Sequence, residues 1–121
     1  HQGRRDDSWA LVEEPMQLGQ ALLQNCTANT VVVVDCLTLW LSNCLHAQNW
    51  QEERQALFAS FAQLKGSVLF VSNEVGLGVI PMGQITREFV DEAGFLHQEL
   101  AQHCRRVSFC AAGLPVDLKN V

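Results

Sequence analysis

The stretch Val31-Val32-Val33-Val34-Asp35-Cys36-Leu37-Thr38-Leu39-Trp40-Leu41-Ser42-Asn43 decides the fold class. Four consecutive valines make an apolar run without alternation, which predicts a short strand buried on both faces of a parallel sheet. The run ends on an acid. In open α/β sheets ligands sit beyond the carboxyl ends of the strands, and a P-loop nucleotide enzyme keeps its Mg²⁺-serving carboxylate there. The plainer alternative is that Asp35 caps the helix starting near Thr38. A strand ending in aspartate fits both readings equally.

Working outward, Leu18, Ala21, Leu22 and Cys26 recur at helical spacing, with Pro15 suited to a first turn, so a helix is expected over 15–26. Residues 37–47 are apolar nearly all round, as in a buried helix. After a break at Gln48-Asn49, Trp50, Leu57, Phe58, Phe61 and Leu64 mark one face of a second helix. Residues 67–72 repeat the unalternating strand pattern, and the loop 73–81 follows with two glycines and a proline. Ile85, Phe89, Ala93, Leu96 and Leu100 predict a helix over 84–103, 107–112 a third strand, and 116–118 a last one after a turn. Strands separated by helices imply an α/β fold: a mainly parallel sheet flanked by helices and joined by right-handed crossovers.

At 121 residues the chain is read as a single α/β domain. Hydrophobic residues at 48% against 17% charged give it enough apolar surface for a core, which excludes a disordered chain. The net charge of −5, with no long basic run, argues against a nucleic-acid groove. No apolar stretch reaches the length of a membrane span and no signal peptide opens the chain. Five cysteines (Cys26, Cys36, Cys44, Cys104, Cys110), odd in number and without zinc spacing, read as buried, reduced thiols in a cytoplasmic protein.

Three polar groups fall where a parallel sheet gathers its strand ends: residues 1–13, Asp35, and Asn73-Glu74. Arg4 and Arg5 suit phosphates, a carboxylate suits Mg²⁺, and the neutral imidazole of His1 suits a nucleophile near neutral pH. Each has a blander counterpart: Arg4-Arg5-Asp6-Asp7 as a solvated loop, His1 as an exposed terminal residue, Trp9 as a packing anchor, Asn73 and Glu74 as loop caps. His46, His97 and His103 have no ligand spacing and are read as structural, and no G-x-x-x-x-G-K-[ST] loop occurs.

Several segments in order resemble the bifunctional adenosylcobinamide kinase/adenosylcobinamide-phosphate guanylyltransferase of cobalamin biosynthesis. They are His1-x-x-x-Arg5-x-x-x-Trp9-x-x-x-Glu13, V-D-C-L-T-L-W-L-S-N at 34–43, V-S-N-E-V-G-L-G-V-I-P at 71–81, R-E-F-V-D-E-A-G-F-L-H-Q at 87–98 and A-G-L-P-V-D-L-K at 112–119. The resemblance implies a RecA-like P-loop fold, a homotrimer, phosphorylation of adenosylcobinamide, and transfer of GMP from GTP to the resulting phosphate through a guanylylated histidine. By position His1 falls on that histidine, Gln2, Gly3, Arg4 and Arg5 on residues that contact GTP, and Glu13 and Asp35 on further nucleotide-binding carboxylates. Asp35 is placed at the Mg²⁺–phosphate side. Glu13 is expected to accept the two N–H groups on the guanine edge, an arrangement that adenine lacks, so GTP rather than ATP is the guanylyl donor.

Gln2 stands where the family has a basic residue, and His97 where it has Asn. The family also begins with a strand and a phosphate loop that these 121 residues do not contain. An N-terminally truncated form is expected, inactive alone, with a non-catalytic nucleotide-binding or assembly module of the same fold as the alternative.

Overall fold

The computed structural model describes residues 8–75 and 86–121. They form two compact units, one ending at Asn73 and the other beginning at Glu74.

In the first unit the valine run is β1 (Val31–Asp35), paired in parallel with β2 (Ser67–Val71) from Val31 opposite Ser67 to Asp35 opposite Val71. A parallel pair needs a long crossover, supplied here by α2 (Leu37–Ala47), α3 (Trp50–Ser60) and a 3₁₀ turn at Phe61–Gln63. Gln48 closes α2 in the left-handed region at φ 61°, and α3 follows. The core of this unit gathers Leu18 and Leu22, then Leu37, Trp40, Leu41 and Cys44, then Trp50 and Leu57. Trp40 and Trp50 meet edge to face, centroids 5.0 Å apart at 71°.

Two expectations change. The sheet is not buried on both faces: its residues alternate, with Val31, Val33, Leu69 and Val71 more than 40% exposed and Val32, Val34, Val68 and Phe70 half-buried. Among the described residues, cover lies on one face only, so an apolar run serves here where alternation would suffice. The first helix is α1 (Leu18–Asn25), three residues shorter at its start than expected. The Glu14 carboxylate takes the Met16 and Gln17 amides at 3.0 and 2.9 Å, which turns the chain before Pro15 can open a helix. Gly19 lets α1 lie directly on α3, where a Cβ would stand 2.6 Å from the Ala56 carbonyl oxygen.

The second unit holds α4 (Arg87–His103) and the hairpin β3 (Arg106–Ala111) and β4 (Leu114–Asn120). Thr86 caps α4, its hydroxyl accepting the Phe89 amide at 3.1 Å. Ala93, Leu96 and Leu100 form the buried stripe of α4. The hairpin turns through Ala112 (φ 54°) and Gly113 (φ 75°), the two left-handed residues of a tight two-residue connection. It is antiparallel, so parallel pairing belongs to β1–β2 alone among the described strands. Lys119 Nζ donates to the Ala101 carbonyl at 2.8 Å and fastens β4 to α4.

All five cysteines are free; Cys26 and Cys44 are buried as expected, but Cys110, at the end of the hairpin, is exposed. Among the described residues no helix is long and apolar enough to cross a membrane.

Candidate functional site

Of the residues expected from the sequence to form the site, Glu13 and Asp35 are described. Asp35 is the last residue of β1, exposed, on the same sheet face as Val31 and Val33. Cys36 stands as the N-cap of α2 in extended conformation and offers no side-chain cap, and neither does any carboxylate. Asp35 therefore does not serve as the cap that one reading of the sequence allowed.

In the first turn of α2, the Thr38 hydroxyl is buried between two polar neighbours, Cys36 Sγ at 3.4 Å and the Asn73 amide, which donates to it at 3.3 Å. Asn73 lies two residues past the end of β2. That hydrogen bond holds the start of the loop after β2 against the helix that follows β1, so both strand ends converge near Asp35.

Glu13 lies in an exposed, irregular stretch just before the Glu14 turn. The turn is fixed from α2. Trp40 Nε1 donates to the Met16 carbonyl at 2.7 Å, Asn43 Nδ2 to the Pro15 carbonyl at 3.1 Å, and Cys44 Sγ approaches the Met16 carbonyl at 3.8 Å. Thus the turn that follows Glu13 lies against the middle of α2, while Asp35 precedes the first turn of that helix. His1, Gln2, Gly3, Arg4 and Arg5 lie outside the described residues, as does most of the 73–81 loop.

Charges around the turn are set by their surroundings. The Gln17 amide, then the Met16 amide, hold the Glu14 carboxyl below its ordinary range. Burial first, then Glu14 and Glu52, push Glu53 up. Burial, with Glu53 nearby, pushes the Cys44 thiol up to about 11. In the second unit, burial lowers His97 despite the opposing charge of Glu74. Among the described residues no group of three or more His, Cys, Asp or Glu could hold a metal ion.

Sequence reasoning passed over Thr38, Trp40 and Asn43, which look like members of an apolar helix. The signal was available: a buried indole needs an acceptor for its N–H, and an amide three residues further shares its face.

A sequence model of the family described as cobinamide kinase / cobinamide phosphate guanyltransferase matches residues 1–118. The chain belongs to this family. It is 47% identical over 123 aligned residues to the bifunctional adenosylcobalamin biosynthesis protein CobP of Pseudomonas aeruginosa, covering 99% of this chain and 71% of that protein. It is also 28% identical to the bifunctional adenosylcobalamin biosynthesis protein CobU of Escherichia coli K12, covering 98% of this chain and 75% of that one. With CobU of Salmonella typhimurium the identity is 26% over the same shares.

Proposed function

We propose that this protein carries out both family reactions in cobalamin biosynthesis, phosphorylation of adenosylcobinamide and guanylyl transfer to its phosphate, with His1 as the nucleophile of the second. The observation that carries the reading is the family match across residues 1–118. An imidazole nitrogen of His1 attacks the α-phosphorus of GTP, the bond to the bridging oxygen breaks, and pyrophosphate leaves with that electron pair. A phosphate oxygen of adenosylcobinamide phosphate then attacks the same phosphorus, freeing His1 and yielding adenosylcobinamide-GDP. Imidazole suits both halves because it is neutral near pH 7 and departs readily from a phosphoramidate.

Gln2 and Gly3 line the GTP phosphates in this scheme, and Arg4 and Arg5 offset charge that develops on them. Glu13 accepts the two N–H groups of the guanine edge and so favours GTP over ATP. Asp35 is the Mg²⁺ ligand. One exposed carboxylate at a strand end fits a cation that takes one or two carboxylates and completes its shell with water and substrate phosphates. When bound, Mg²⁺ neutralises phosphate charge. A cytoplasmic homotrimer acting on soluble corrinoid and nucleotide completes the proposal.

The test is labelling of the intact protein with GTP radiolabelled at the α-phosphate. An acid-labile, alkali-stable adduct should form and vanish in His1→Ala. Label retained by that variant overturns the assignment. In the same assay Glu13→Gln should lose preference for GTP over ATP, and unchanged selectivity would leave Glu13 a contact to the ribose or to the loop only.

A further inference from the structure

We propose that Asn43 and Trp40 are positioning residues for guanine selection, acting from one face of α2 on the turn that carries Glu13. The inference rests on the reading of Glu13 given above. Residues 40, 43 and 44 share a helix face, and all three reach the same two carbonyls, those of Pro15 and Met16. The amides on the other side of that turn, of Met16 and Gln17, are taken by Glu14 Oε2. Trp40 is itself 4% exposed and braced edge-on by Trp50, so the indole N–H is a fixed point rather than a swinging one.

Little freedom then separates the helix from the backbone that carries Glu13. The Pro15 ring fixes its own φ and holds Glu14 extended, and the Glu14 side chain is engaged by the turn. A shift of the Pro15 carbonyl is thereby passed to Glu13, two residues upstream. A half-buried helix position with a purely packing role has no need of an amide; at Asn43 the amide donates to a backbone oxygen 28 residues away. A carboxylate that discriminates two purine edges must be held to about 0.5 Å, and that precision begins with the backbone on which Glu13 is carried.

Asn43→Asp keeps the shape, removes both donors and sets a carboxylate oxygen against the Pro15 carbonyl. In the intact protein the ratio of kcat/KM for GTP to that for ATP in guanylyl transfer should fall roughly threefold to tenfold, the scale of one such hydrogen bond. The change should appear in KM for GTP with kcat kept. Asn43→Gln, which retains an amide donor, should recover part of it, and Trp40→Phe should reproduce it. Combined with Glu13→Gln, Asn43→Asp should add nothing further, because both act through one group. If Glu13→Gln lowers the ratio while Asn43→Asp and Trp40→Phe leave it alone, or if the double variant is additive, the positioning role is overturned. If Glu13→Gln itself leaves the ratio unchanged, the guanine role of Glu13 falls instead. Should Asn43→Asp fail to fold, Trp40→Phe carries the same comparison.

Discussion

Alanine at Gly19 sets helix propensity against packing, and the structure says which wins. An added Cβ would lie 2.6 Å from the Ala56 carbonyl oxygen, 2.7 Å from its carbon and 2.9 Å from the Leu57 nitrogen. Ordinary contact begins near 3.4 Å, so α1 must withdraw from α3 by about 0.8 Å (3.4 − 2.6). The obstructing atoms are backbone, on a helix anchored by Trp50 and Leu57, and cannot swing aside as a side chain would. Alanine gains up to ~1 kcal/mol in a helix interior, whereas overpacking costs ~1–3 kcal/mol, and withdrawal also loosens Leu18 and Leu22. The net expectation is a loss of about 1–2 kcal/mol. Urea unfolding followed by tryptophan fluorescence reads it as a lower midpoint with unchanged slope. Gly94 in α4 is the control, since no heavy atom lies within 4 Å of its would-be Cβ; there alanine should stabilise by roughly 0.5–1 kcal/mol. A Gly19→Ala protein as stable as the parent would show that α1 slides on α3 freely and that the close approach has no energetic weight.

Thiol labelling of the native protein should modify exposed Cys110 first and leave Cys44 unreacted, because burial raises its thiol to about 11 and the thiolate is the reacting form; mass mapping that finds Cys44 modified early refutes this. His97 titrates below its ordinary value because it is buried, so the folded protein binds fewer protons there than the unfolded chain. Its contribution is therefore intact above about pH 6.5 and is lost as the pH falls from there toward the lowered folded value. Unfolding free energies between pH 5 and 8 should show a smaller acid loss in His97→Asn, and superimposable curves would count against it. Thr38→Val removes the acceptor for the Asn73 amide and should speed hydrogen exchange across residues 72–75; unaltered exchange would mean the loop is held by other means.

The sequence made the pairing legible before its surroundings. Two unalternating apolar runs joined by a helical segment do pair in parallel, and the acid that closes the first does end the strand. Their burial was misjudged because apolar composition reports what a face tolerates, not what covers it. The start of α1 was misplaced because a proline at a first turn and a carboxylate gathering two amides look alike in sequence; Glu14 decided it. The aspartate that closes β1 was readable from the valine run alone. The clamp from α2 was not, since a tryptophan and a cysteine four residues apart in an apolar helix also describe an ordinary core. Only the donor–acceptor geometry separates the two.

The parallel pairing of β1 and β2 has a consequence for the chain during synthesis. Val71 follows Asp35 by 36 residues (71 − 35), and at ~5–20 residues per second that is roughly 2–7 s of translation. Once four valines with no charge among them emerge from the ribosome, the same interval passes before their partner strand follows. Such a segment is the kind that pairs with other chains when left open. Among the described elements, α1 and the growing α2 and α3 are then beside it. Slowing elongation while β1 is outside the ribosome and β2 is still within it should therefore shift newly made protein from the soluble to the aggregated fraction, although every residue of the folded product is unchanged.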